Sequence, residues 1–118
     1  MITKLCTDLE QSRRLGEFLP IESADMWYHG HGSPWESERE YDSDACPFHS
    51  MRPNWDIPAL SLAALFSMLP KSAYLEKGSS TELCRVTLPV ELISSDWNLE
   101  PIDACVEMIE KLHEQKLL

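Results

Sequence analysis

Along the last part of the chain, apolar residues recur with the period of a helix. Ile102, Cys105, Val106, Ile109 and Leu112 form one stripe, and Glu107, Glu110, Lys111, Glu114 and Lys116 mark the wet face opposite. Pro101 suits the first helical position and Asp103 the positive end of the helix dipole, so a helix is predicted to begin at Pro101. A second stripe, Leu62, Leu65, Phe66 and Leu69, predicts a helix that Ser61 caps and Pro70 stops. Thr7-Asp-Leu-Glu10 has the form of a capping box and predicts a short helix over about residues 8–18, ended by Pro20.

Other segments alternate instead. Residues 73–77 and 83–88 flank Gly78-Ser-Ser-Thr, which predicts a β-hairpin, and residues 90–94 suit a third strand after the break at Pro89. Aromatic residues between Met26 and His29 predict one more strand. From residue 30 to residue 56 the pattern dissolves into glycine, serine, proline and charge, with Trp35, Tyr41, Phe48 and Trp55 scattered among them. This reads as a long loop insertion with one short strand near Cys46 to Ser50; loops of such length are often functional. The expected architecture is one α+β domain over residues 1–118. It has a three- to four-stranded, mainly antiparallel sheet and about three helices, mostly on one face.

Composition narrows the function classes. The 118 residues are 43% hydrophobic, enough for a core, and carry a formal charge of −10 from 20 acidic and 10 basic side chains. Such a charge repels phosphate backbones and anionic membranes, so neither direct nucleic-acid binding nor membrane association is expected. It would suit a basic partner or a DNA mimic, but the acidic residues are scattered and form no continuous run. No stretch approaches the roughly 20 apolar residues of a membrane span. The first residues lack an export signal, so a cytoplasmic location in a bacterial cell is expected. The four cysteines form no CxxC pair, and Cys84 and Cys105 lie within apolar patterns, as small core residues do.

Several motifs carry a resemblance: Leu9-Glu-Gln-Ser followed by Leu15, Ser23-Ala-Asp-Met, Ile57-Pro-Ala-Leu-Ser-Leu-Ala-Ala-Leu-Phe-Ser-Met-Leu-Pro70, and Pro101-Ile-Asp-Ala-Cys-Val-Glu-Met-Ile-Glu-Lys-Leu-His113. In these the chain resembles a group of uncharacterised small proteins from phages and mobile elements of gut bacteria. That pattern has Trp-Ser-Leu before the middle helix and Asn-Pro before the last. Here Leu60-Ser-Leu and Glu100-Pro stand instead, so the N-cap asparagine is absent. The resemblance implies the fold pattern and a phage or mobile-element setting, and brings no activity with it.

The sharpest chemical expectation is a zinc site. His29-Gly-His31 and Cys46-Pro-Phe-His49 offer four ligands of the types zinc prefers, against the alternative of solvent-facing loop residues. A Cys46–His nucleophile pair has no accompanying oxyanion element, no glycine-rich phosphate loop is present, and the alternating acids of residues 36–44 read as a solvated loop. A catalytic role is therefore not expected. Binding fits better: Trp35, Tyr41 and Trp55, with Arg52, are candidate anchors for a partner protein, unless they fold back over the core. A small, nucleotide-like ligand would need Arg13, Arg14, Arg39, Arg52 and Arg85 gathered at one pocket. Free sheet edges or exposed aromatics would also permit a homodimer.

Overall fold

A computed structural model describes residues 4–31, 40–42, 44–47, 56–78, 83–89 and 92–117. The chain divides into two compact units, Cys6–Ser61 and a second made of Leu62–Leu118 with Met1–Leu5. Together they are an α+β mixture, and the described residues form eight short strands in three antiparallel sheets where a single sheet was expected.

In the first unit, α1 (Leu9–Gly16) begins one residue later than the capping-box pattern predicts. Asp8 is the N-cap: its carboxylate accepts the Gln11 N–H at 2.8 Å, and the Gln11 side chain returns to the Asp8 N–H at 3.1 Å. Thr7 is displaced from that role because its own hydroxyl is turned inward to Leu60 and Ser12. Strand β1 (Met26–Tyr28) lies between β4 (Cys46–Pro47) and β5 (Ile57–Ala59). Both flanking strands carry proline, which lacks a donor and is tolerated at a sheet edge. A two-residue ladder joins β2 (Gly30–His31) to β3 (Glu40–Tyr41). Within the segment expected as a long loop, β4 falls where one short strand was expected, and β2 and β3 are paired in addition. Cys6, Tyr28 and Ala59 form one buried cluster of this unit, with Leu9, Met26, Tyr41, Ala45 and Ile57 packed against it, and Leu15, Trp27 and Leu60 are buried as well.

Strand β5 is absent from the sequence prediction. Residues 57–69 are nearly continuous in apolar character, and such a run cannot be divided between strand and helix by periodicity alone. Pairing with β1 decides it, setting Trp27 opposite Pro58 and Tyr28 opposite Ile57.

The second unit matches the predicted pattern more closely. Helix α2 (Leu62–Ser67) and α3 (Pro101–Glu114) pack on each other, and α3 also packs on β7 (Cys84–Leu88). The stripe read from the sequence is buried in full: Ile102, Cys105, Val106, Ile109 and Leu112 are all at or below 1% exposure. Glu100 stands at the N-cap of α3 without capping the helix's own N–H groups, in keeping with the missing asparagine; its carboxylate accepts the Lys4 N–H instead, at 3.4 Å. At the other end Lys116 adopts φ 59°, and the Leu117 N–H reaches back to the Leu112 carbonyl at 2.8 Å. This is the Schellman closure, here with lysine where glycine is usual.

Candidate functional site

The hairpin of the second unit builds the best-defined surface. In β7 the alternation is strict: Cys84, Val86 and Leu88 are buried, and Arg85 and Thr87 face the other way. Strand β6 (Tyr74–Lys77) pairs with β7 so that Tyr74 lies opposite Thr87 and Glu76 opposite Arg85. Residues directly opposite share a face, so Tyr74, Glu76, Arg85 and Thr87 stand together on the side away from the buried stripe.

A bulge adds Trp97 to this face. On its other edge β7 pairs with β8 (Ile93–Ser94), Thr87 opposite Ser94. Continued without interruption, that register would set Trp97 opposite Cys84 and point it inward. The bridge instead joins Cys84 to Asn98, with N–H···O distances of 2.7 and 2.8 Å in the two directions. One extra residue has therefore entered the outer segment at Ser95–Asp96, and a slip of one residue reverses the side on which every later side chain emerges. Trp97 comes to lie beside Arg85, whose guanidinium carbon is 4.5 Å from the ring centroid. The Arg85 Nε also donates to Glu76 Oε1. The face thus carries two rungs, Tyr74–Thr87–Ser94 and Glu76–Arg85–Trp97. Tyr74 is 44% and Trp97 41% exposed.

Side chains satisfy the polar groups that the bulge frees. The Val86 N–H donates to Ser95 Oγ at 3.0 Å, and the Ser95 N–H to the Val86 carbonyl at 2.9 Å. Glu107 of α3 accepts the Asp96 N–H at 2.6 Å and the Asn98 side-chain amide at 3.3 Å, with Lys111 Nζ 3.1 Å away. Burial pushes the Glu107 carboxyl up, but the Asp96 N–H, Lys111 and Asn98 together outweigh it and hold the carboxyl below its ordinary value.

A pH dependence follows. A carboxylate whose folded pKa is depressed stabilises the fold fully above its unfolded value, and that contribution is lost as pH falls through the folded one. Thermal melts from about pH 7 down to about pH 3 should show Glu107→Gln melting below the wild type at neutral pH and converging with it in acid. Parallel profiles at all pH values would show that the charge of Glu107 contributes nothing.

The metal candidates divide between different partners. His31 Nε2 lies 2.5 Å from Asp42 Oδ1, and both side chains are open to water. His29 Nδ1 is 3.9 Å from the buried Asp56, whose Oδ1 also accepts the Gly30 N–H at 3.0 Å. Cys46 sits half-buried on β4, paired with Trp27. Among the described residues, no three His, Cys, Asp or Glu side chains stand together so as to hold an ion. His49 lies outside the described residues, as do Trp35, Arg52 and Trp55.

Tyr41, the remaining binding candidate, is half-buried over the Cys6–Tyr28–Ala59 cluster, with the Arg13 guanidinium carbon 5.3 Å from its ring centroid. Arg14 pairs with Glu10 on its own helix, while Arg85 is engaged by Glu76 and Trp97. Arg39 also lies outside the described residues. Of the thiols, burial pushes Cys105 up to about 12 and raises Cys84 as well, which keeps both protonated and unreactive near neutrality.

Sequence reasoning did not single out Tyr74 or Trp97 as surface anchors. The alternation in residues 83–88 could have placed Arg85 outward, but Trp97 depends on a bulge with no local signature. No helix among the described residues is long and apolar enough to cross a membrane. Comparison with protein families, with curated proteins and with solved structures gives no match to this chain.

Proposed function

We propose that this chain is a non-enzymatic accessory protein of a phage or mobile element that binds a host or phage protein, using the outer face of the β6–β7–β8 sheet. The observation that supports this is the Glu76–Arg85–Trp97 rung with Tyr74 beside it. Tryptophan, tyrosine and arginine are the residue types that dominate binding energy at protein interfaces. Here the arginine is held flat by a carboxylate and an indole, so little side-chain entropy remains to be lost on contact. The two aromatic residues present apolar area with a polar tip, which suits a surface that is wet when free and covered when bound.

The test is recovery of the tagged protein from its host cells, with co-purifying proteins quantified by mass spectrometry. A partner enriched by the wild type should fall at least about tenfold with the double variant Tyr74→Ser, Trp97→Ser, each side chain carrying the roughly 1–2 kcal/mol of an interface anchor. A double variant that melts like the wild type and retains the partner would remove this face from consideration.

A further inference from the structure

The β6–β7–β8 sheet has two edges, and the chain treats them differently. The Gly78 N–H donates to the Leu83 carbonyl at 2.9 Å, which fixes the phase of the β6–β7 ladder. Tyr74 and Glu76 therefore spend their backbone groups on β7, while Leu75 and Lys77 aim theirs away from it. On the opposite edge α3 takes up the outward groups: the Ser94 carbonyl accepts Lys111 Nζ at 2.9 Å, and the Asp96 N–H goes to Glu107. In the first unit the edge strands β4 and β5 are blunted by Pro47 and Pro58. Strand β6 carries neither proline nor bulge. Among the described residues, nothing donates to or accepts from the backbone of Leu75 or Lys77 on that side. Such an edge is a template for another strand.

We propose that a second copy of this chain supplies that strand, its β6 paired antiparallel with this one across a two-fold axis at Leu75. A two-fold interface sets the same surface on both sides, so the edge must complement itself. Outward residues must meet outward residues, which allows three registers centred within residues 75–77. Centring on Glu76 sets two glutamates opposite each other, and centring on Lys77 two lysines, both unfavourable. Centring on Leu75 opposes no like charges. The two leucines then meet on the inner face, Tyr74 stands opposite Glu76 of the partner subunit, and the Leu75 N–H and carbonyl bond reciprocally across the axis. The Glu76–Arg85–Trp97 rung of one copy runs on into the Tyr74–Thr87–Ser94 rung of the other, so the two outer faces become one. This inference concerns the edge and does not depend on what the face binds. An edge of four residues makes a small interface, below about 1,200 Å², so the dimer is a weak one. Each copy carries −10, so salt should tighten association by screening the repulsion between copies.

Sedimentation equilibrium of the full chain tests this. A monomer–dimer equilibrium is expected, tightening several-fold between about 0.05 and 0.5 M salt. Leu75→Lys and Leu75→Glu, each checked by melting to be folded, put like charges on the axis and should weaken the dimer more than about tenfold. An equimolar mixture of the two should restore it. Amide exchange gives a second readout that needs no variant. The Leu75 and Lys77 N–H groups should gain protection as concentration rises, while that of Glu76, already bonded to β7, should not. A wild type that stays monomeric at millimolar concentration in high salt overturns the proposal. So does a dimer that persists in both folded variants, or a mixture of them that stays monomeric. Protection of Leu75 and Lys77 only when a host protein is added, the chain alone being monomeric, also overturns it, in favour of a different occupant.

Discussion

Replacing Thr7 by valine should cost about 2–4 kcal/mol of stability, the largest effect expected of any single conservative change in the first unit. Thr7 is fully buried and tied on three sides. Its N–H donates to the Leu60 carbonyl at 3.0 Å, and its Oγ1 accepts the Leu60 N–H at 3.1 Å. The Thr7 carbonyl accepts the Tyr28 hydroxyl at 2.8 Å, and its own hydroxyl shares a hydrogen with Ser12 Oγ at 2.8 Å. Burial is the first cause that pushes the Tyr28 hydroxyl well above its ordinary value, so it stays a donor throughout the accessible range. Valine keeps the shape but faces the Leu60 N–H and the Ser12 hydroxyl with a methyl group, and each buried group so stranded costs about 1–3 kcal/mol. Urea unfolding should show a midpoint lower by about 1–2 M at unchanged slope. Thr7→Ser retains the oxygen and should lose about 1 kcal/mol or less. Equal losses in the two variants would show that the methyl group, and not the hydroxyl network, is what Thr7 contributes.

Ser95→Ala should act on both stability and the proposed binding face. The Ser95 Oγ accepts the Val86 N–H at 3.0 Å and donates to the Asp96 carbonyl at 2.9 Å, within a residue only 4% exposed. Alanine leaves the Val86 N–H in a buried place with no acceptor at the bulge, a cost of about 1–3 kcal/mol. The bulge is also what turns Trp97 toward Arg85, so its loss should separate the indole from the guanidinium. The Arg85 side-chain protons, lying over the Trp97 ring, should be shifted upfield by its ring current in the wild type. In Ser95→Ala that shift should shrink toward the value seen in Trp97→Ala. An unchanged shift would mean that the bulge stands without Ser95.

The two predictions depend on different kinds of information. Local pattern was enough for α3, whose stripe from Ile102 to Leu112 is buried as read, and for the hairpin of β6 and β7. It was enough, too, for the capping box of α1, although which residue closes it shifted from Thr7 to Asp8. The reason for that shift is nonlocal: Leu60, 53 positions away, recruits the Thr7 hydroxyl. The candidate sites were less legible still. Of the His/Cys set, His29 and His31 could be seen, but their partners Asp56 and Asp42 are chosen by strand register.

What the amino-acid sequence determined by itself is an acidic α+β chain with three helices and a hairpin. Helical stripes and strand alternation are written in residues three, four or two apart, and near neighbours suffice to express them. The tertiary structure alone decided that residues 57–59 extend as β5, that residues 30–31 and 40–41 of the presumed loop pair as β2 and β3, and that Trp97 faces outward. Each of those outcomes turns on which distant backbone supplies a hydrogen-bond partner. A single extra residue in such a pairing reverses a side chain's direction, and no periodicity within one segment records it.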